Sequence, residues 1–174
     1  MDAQDQSEER LYRIRALELA DRNWVAHFMD KHWGSTKIVS RGQIHYAHLL
    51  PGFAVEANDA PDDAPPVGVL TYNIEERNCQ IITIDSLQPN IGIGTLMVET
   101  VKSIARENNC RRVWLTITND NLNALRFYQK RGFELVAVHR NELANARKLK
   151  PQIALVGQNG IPLRDEIELE HPLR

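Results

Sequence analysis

The chain's only Gly-x-Gly sequence, Gly92 and Gly94, stands between an apolar run typical of a strand and an amphipathic run typical of a helix. A helix N-terminus presents backbone N–H groups without partners, and glycine lets a ligand approach the backbone closely. Both features favour an anionic group such as a phosphate. Close packing of the helix against its strand is the alternative. The sequence does not match the dinucleotide-binding pattern, whose third glycine would fall at position 97, which is Met. It does not match the Walker A pattern either, because no Gly-Lys-Ser/Thr follows.

A second segment, NDNLNALRFYQKRGF at 119–133, follows one predicted strand later. With the glycine turn, it resembles the signature of the Gcn5-related N-acetyltransferases, the GNAT family. That family carries a glycine turn after its fourth strand and N-x-x-A-x-x-x-Y-x-x-x-G-F after its fifth. The residues that match the second pattern are Asn121, Ala124, Tyr128, Gly132 and Phe133. The order of elements from residue 11 to residue 170 matches as well.

The resemblance implies that the fourth and fifth strands splay apart and that the pantetheine arm of acetyl-CoA lies in the gap. The arm would pair with backbone near residues 85–87, and the pyrophosphate would lie on the amides of residues 91–95. Asn121 would bind the arm, and Tyr128 would lie near the thioester sulfur. The implied cofactor-binding residues are Leu87, Ile91, Gly92, Ile93, Gly94, Thr95, Asn121, Ala124 and Tyr128.

The glycine turn departs from the family pattern at its first position, where Pro89 replaces the usual Arg or Gln. No Arg or Lys lies between residues 88 and 95, so backbone amides and the helix dipole would carry most of the anion binding. Arg126 or Arg131 could supply the missing cation. We interpret each of the two, however, as a solvated surface charge.

The resemblance implies direct transfer of an acetyl group from acetyl-CoA to a primary amine through a tetrahedral intermediate. A backbone N–H near Leu87 would stabilise the oxyanion, and Tyr128 would be the general acid, since a phenol with a pKa of about 10 is protonated at neutral pH. We predict Asp85 as the base, directly or through a water, with Glu75 and Glu76 as alternatives. A non-catalytic acyl-CoA-binding regulatory module is the alternative function, which a phosphate loop without positive charge favours.

The acceptor is predicted to be an amine of a small molecule or a protein. Its site would be walled by the first helix, residues 35–50 and the segment before the last strand. The candidate side chains are Trp33, His45, Tyr46 and His48. The basic residues Arg147, Lys148 and Lys150 could attract an acidic acceptor, although a charge run is usually a solvated helix face.

Hydrophobic periodicity predicts the elements that position these residues. Strands are expected at 11–16, 52–57, 67–76, 79–87, 112–118, 133–139 and 163–170, the first as an edge strand. The short connector around Asn78 predicts an antiparallel hairpin of 67–76 and 79–87. Strand 112–118 follows through a helix and is expected to be parallel to 79–87. Helices are expected from Arg22, capped by Asp21 and ended by Gly34, then after the glycine turn, at 122–131 and at 141–149. In the helix after the glycine turn, Lys102 is expected on the polar, exposed face. Residues 35–50 show no clear period. The fold class is therefore α/β (α+β mixed), with a mostly antiparallel mixed sheet of six to seven strands and helices on both faces.

Composition indicates an ordinary globular chain, with 43% hydrophobic and 25% charged residues and a net charge of −2. We predict a disordered tail at 1–10 and a single domain at 11–174. Neither nucleic acid nor a membrane is expected as a partner, no metal site is expected, and the chain would be a monomer or a homodimer. Cys79 and Cys110 lack metal-ligand spacing, and with no signal peptide apparent they predict free thiols and a cytoplasmic location.

Overall fold

The computed structural model describes residues 11–88 and 92–174. The predicted disordered tail at 1–10 lies outside the described residues, as do positions 89–91. The strands are β1 (Tyr12–Ala16), β2 (Lys37–Ser40), β3 (Gln43–Tyr46), β4 (Gly52–Ala57), β5 (Gly68–Glu75), β6 (Asn78–Ser86), β7 (Arg112–Thr118), β8 (Glu134–His139) and β9 (Glu166–Pro172). The helices are α1 (Arg22–Trp33), α2 (Ile93–Glu107), α3 (Leu122–Gln129) and α4 (Glu142–Leu149).

Seven strands form one mixed sheet in the order β1-β4-β5-β6-β7-β9-β8. Neighbouring strands are antiparallel apart from β6 and β7, which are parallel and joined through α2. The β6–β7 pairing covers only Asn78–Gln80 against Arg112–Trp114, although both strands continue well beyond it. The two strands therefore separate towards their C-terminal ends and leave a gap in the middle of the sheet.

A β-bulge lies on β6 close to the point where it leaves β7. Thr71 pairs with Thr83 and Tyr72 with Ile81, so Ile82 is the additional residue on β6. A bulge bends its strand and increases the local twist. This geometry turns the end of β6 away from β7.

Each face of the sheet has its own apolar core. On one face α2 and α3 cover the strands, and Met97, Val101 and Tyr128 are buried against Val113 and Leu115. On the other face α1 packs against β5, and the β2–β3 hairpin lies beside it. The buried residues there are Val25, Phe28, Met29, Ala47 and Val69, with Ile38 of β2 packed against them.

Most elements agree with the sequence predictions. β1 is an edge strand, β5 and β6 form an antiparallel hairpin, and β7 follows β6 in parallel through a helix. Residues 35–50, which show no period, contain the β2–β3 hairpin, whose strands have only four residues each. The last strand begins at Glu166, three residues later than predicted.

Two local predictions were wrong. Asp21 does not cap α1 with its side chain, because its carboxylate accepts hydrogen bonds from the Glu18 amide and the Arg15 guanidinium. Lys102, assigned to the exposed face of α2, is only 4% exposed. Its Nζ donates to the carbonyl of Arg131 at 3.0 Å and to Glu99 at 2.9 Å. These acceptors satisfy a buried ammonium that burial alone would disfavour.

Candidate active site

A cavity of about 510 Å³ lies at the gap between β6 and β7. Gly94, Met97 and Phe127 line it on the α2–α3 face, whereas Ile38 and Leu143 line it on the hairpin face. The cavity therefore reaches through the sheet. Two molecules could approach the gap from opposite faces and meet inside it.

The glycines at the start of α2 both suit the local geometry. Gly92 is the N-cap and has φ +84°, a left-handed conformation that glycine adopts without steric cost. A Cβ on Gly94 would lie 3.0 Å from the Phe127 ring, so α2 and α3 approach each other closely there. The motif thus has a packing role, and it also leaves the amides of residues 93–95 free of intrahelical partners. Ile91 lies outside the described residues.

A cation, Arg131, lies against the first turn of α2, although the sequence analysis interpreted it as a surface charge. Arg131 is half-buried, and its guanidinium stacks 3.7 Å from the centre of the Phe127 ring. Nε and Nη2 both donate to the hydroxyl of Thr95, at 2.9 and 2.8 Å. Burial lowers the pKa of Arg131 from its ordinary value. Reading Arg131 as a solvated charge was therefore wrong, while Arg126 is exposed as expected.

Four other residues predicted to bind the cofactor lie at the N-terminal ends of α2 and α3. Thr95 follows Gly94 in the first turn of α2, and the side chain of Ile93 is buried in the core, so Ile93 can offer only its backbone amide. Asn121 caps α3, because its Oδ1 accepts a hydrogen bond from the Ala124 amide at 3.1 Å. Asn121 and Ala124 both line the cavity. The side-chain NH2 of Asn121 remains as a donor.

Tyr128 lines the cavity from α3 and is 4% exposed. Its ring packs edge-on against Phe127 and Phe133. Burial raises the pKa of the phenol well above its ordinary value, and the charge of Asp85 adds to this effect. The hydroxyl therefore stays protonated across the neutral range, as a proton donor must.

The amide of Leu87 does not face the gap. It donates to the carbonyl of Val67 at 2.8 Å, on the β5 side of β6. Because N–H directions alternate along a strand, the amides of Ile84 and Ser86 point towards the gap instead. The backbone N–H predicted near Leu87 as the oxyanion donor is therefore not that of Leu87 itself; the amide of the neighbouring Ser86, which lines the cavity, points to the gap, and the oxyanion role stays a prediction. Other contacts of Leu87 with a ligand stay a prediction.

Asp85 lies on the α1 face of β6, opposite Val69 of that core. Trp33 Nε1 lies 3.0 and 3.1 Å from its two carboxylate oxygens. Burial raises the pKa of Asp85, and the Trp33 hydrogen bond partly offsets this. Trp33 lines the cavity, whereas Asp85 stands behind it. Glu75 and Glu76 lie at the β5–β6 turn, about 23 Å along the strand from Asp85, too far to replace it.

A second carboxylate of the site, that of the buried Glu166 on β9, was not predicted from the sequence. Glu166 is 4% exposed and lines the cavity on the hairpin face. The Arg41 amide in the β2–β3 turn donates to both of its oxygens, at 3.2 and 3.3 Å. Burial raises the pKa of Glu166, and hydrogen bonds from Thr116 and Arg41 partly offset the rise. The alternation of apolar and charged residues in LRDEIELE predicts a strand with one buried face. It does not indicate which carboxylate is buried.

Polar side chains accompany Glu166 across the floor of the cavity. The hydroxyls of Ser40 and Thr116 lie 2.6 Å apart, and Gln80 Nε2 donates to Ser40 at 2.9 Å. All three residues line the cavity. They join β2, β6 and β7 and thus hold the hairpin over the gap.

The remaining predicted acceptor-site residues mostly lie elsewhere. Of the four proposed wall residues, Trp33 lines the cavity, whereas His45, Tyr46 and His48 do not. The basic residues of 147–150 do not form an exposed patch. Arg147 donates to the carbonyls of Ile153, Ala154 and Leu163, and Lys150 donates to that of Lys37.

The fold and cavity define a class of acyltransferase. The sequence profile of the Acetyltransferase (GNAT) family matches residues 16–133, which is more than half of the chain. The chain therefore belongs to this family, as its two motifs indicated. It is also 41% identical to the protein YxbD of Bacillus subtilis over 153 residues, which cover 88% of this chain and 94% of that protein.

Solved structures share the fold. An acetyltransferase of Bacillus subtilis in complex with CoA superposes with a TM-score of 0.66 at 19% identity, covering 94% of this chain and 99% of that one. A GNAT family acetyltransferase of Elizabethkingia anophelis with acetyl-CoA bound gives 0.65 at 17% identity, covering 93% and 98%. None of the helices within 11–88 and 92–174 is both long and apolar enough to cross a membrane.

Proposed function

We propose that this chain is an N-acetyltransferase that transfers the acetyl group of acetyl-CoA to a primary amine. The observation that carries the proposal is the cavity through the sheet, with Tyr128 on one face and two carboxylates on the other. Direct transfer requires donor and acceptor to meet without a covalent enzyme intermediate. A cavity open to both faces fits that requirement.

The residues on the α2–α3 face fit acetyl-CoA. The amides of residues 93–95 and the dipole of α2 would bind the pyrophosphate. Arg131 would add the positive charge that the loop lacks, because its guanidinium already lies against Thr95. Asn121, Ala124 and the exposed amides of β6 would hold the pantetheine arm in the gap. This cation weakens the case for a non-catalytic module, which rested on a loop without positive charge.

The chain's own groups would then serve each part of the transfer. The Ser86 amide would donate to the oxyanion of the tetrahedral intermediate as the amine nitrogen bonds to the carbonyl carbon. Tyr128 would give its proton to the sulfur as the carbon–sulfur bond breaks. Asp85 would take the amine proton through a water, since its carboxylate retains accepting capacity beside Trp33. The protonated Asp85 and the ionised Tyr128 would return to their starting states through solvent.

The proposal is tested by incubating the protein and acetyl-CoA with a panel of amines and measuring thiol release and the acetylated product together. Thiol release that depends on the amine and matches the product supports the transferase. Binding of acetyl-CoA without transfer to any amine would support the module. A cytoplasmic location and a monomeric or homodimeric state stay predictions.

A further inference from the structure

Glu166 is buried in the cavity wall, although it has no role in the proposed transfer steps. Glu166 is only 4% exposed, yet no side-chain cation of residues 11–88 and 92–174 forms an ion pair with its carboxylate. Within the described residues, Arg41 offers its backbone amide, and its guanidinium contacts Glu142 at 3.7 Å and Glu168 at 4.0 Å. Burying a carboxylate without a paired cation is costly, and a cationic ligand would offset that cost.

The residues around the cavity indicate the chemical class of that ligand. Apolar side chains line the cavity together with the carboxylate of Glu166, among them Trp33, Ile38, Val39 and Leu143. The hydroxyls of Ser40 and Thr116 lie on the floor beside it. A single negative charge beside these apolar walls fits a ligand that has a cationic group on an apolar chain.

We propose that Glu166 binds the ammonium group of the acceptor and thereby selects primary alkylamines. This inference rests on the proposed function, because the ammonium would be the group that is acetylated. Glu166 on the β9 side and Asp85 on the β6 side lie on the same face of the sheet and flank the gap. An ammonium has three donors, so Glu166 can hold it while the water on Asp85 passes the first proton to solvent. This leaves the neutral amine that attacks, and Asp85 then takes the second nitrogen proton as the tetrahedral intermediate forms.

A free alkylamine and a protein lysine present the same chemistry here. Both carry a primary ammonium on a chain of methylene groups, and the apolar walls of the cavity would accept either. Butylamine and a peptide with one lysine and a blocked N-terminus separate the two sources. Whichever of them the wild type acetylates identifies the source.

The test uses Glu166→Gln, which keeps an oxygen for the Arg41 amide and removes the charge. We expect the KM for the amine to rise roughly tenfold or more, the effect of losing a hydrogen bond to a charged group. Acetyl-CoA affinity should not change. Glu166→Asp keeps the charge and should restore part of the loss. Glu170→Gln is the matched control on the same face of β9 and should leave the KM unchanged.

The outcomes separate this inference from the proposed function. An unchanged amine KM in folded Glu166→Gln would overturn the role of Glu166 while transfer itself stands. If the wild type acetylates neither probe, the proposed function fails for alkylamines, and butylammonium binding by NMR titration decides. Binding that is lost in Glu166→Gln would still support the ammonium site, and equal binding by both proteins, or by neither, would refute it.

Discussion

The Arg131 guanidinium donates from Nε and Nη2 to the Thr95 hydroxyl, at 2.9 and 2.8 Å, and so places a positive charge at the N-terminus of α2. The glycine turn contains no Arg or Lys of its own between residues 88 and 95. A cation just beyond the C-terminal end of α3 thus lies where a phosphate would meet the first turn of α2. This arrangement leads to the first prediction.

Arg131→Gln should weaken acetyl-CoA binding by roughly tenfold to a hundredfold, as expected when a charge-assisted hydrogen bond is lost. Isothermal calorimetry measures the dissociation constant. Arg126→Gln removes an exposed charge from the adjoining helix α3 and should bind as the wild type does. Equal affinities for the two folded variants would remove Arg131 from the phosphate site.

Tyr128→Phe should lower turnover on the order of a hundredfold, because the proton donor is lost while the buried ring keeps its packing. The dissociation constant for acetyl-CoA should stay nearly the same. Tyr72→Phe is the control, since Tyr72 is also partly buried against the same core but does not line the cavity. Full turnover in Tyr128→Phe under conditions limited by chemistry would exclude the acid role.

Asp85→Asn should lower the rate at neutral pH, and the loss should shrink at alkaline pH, where free amine is abundant. Trp33→Phe should act differently, because it removes a hydrogen bond that lowers the pKa of Asp85. The rising limb of the pH–rate profile should therefore move to higher pH in Trp33→Phe. The profiles are measured with limiting amine, and identical profiles for wild type and Asp85→Asn would rule out Asp85 as the base.

Glu166→Gln should raise thermal stability at alkaline pH relative to the wild type. Burial raises the pKa of folded Glu166 above its ordinary value of 4.5, so the folded state holds the proton more tightly than the unfolded state. Stability is therefore highest below the ordinary value and declines as pH rises through the raised pKa. The difference in melting temperature should vanish at acidic pH, and a difference independent of pH would contradict the raised pKa.

Local sequence patterns determined much of the architecture. The helical spacing after Gly94 predicted α2, and the pair of strand-like runs around Asn78 predicted the β5–β6 hairpin. The motif segment also brought Asn121, Ala124 and Tyr128 to one cavity. These features depend on neighbours within a few turns of chain, which periodicity captures well.

The features that sequence could not provide depend on contacts distant in the chain. Arg131 stacks on Phe127 and reaches Thr95, 36 residues away. The direction of the Leu87 amide follows from pairing with β5 beyond the bulge at Ile82, and no local pattern marks that bulge. Glu166 is buried because the hairpin turn at Arg41 covers it from 125 residues away.

The central claim, transfer of an acetyl group to an amine, is tested most directly by mass spectrometry of the amine after incubation with the protein and acetyl-CoA labelled in its acetyl group. The account predicts a product that carries the label in amounts equal to the CoA released, with Tyr128→Phe strongly reduced at equal acetyl-CoA occupancy. Tight binding of acetyl-CoA without labelled product from alkylamines, lysine peptides or free peptide N-termini would contradict it.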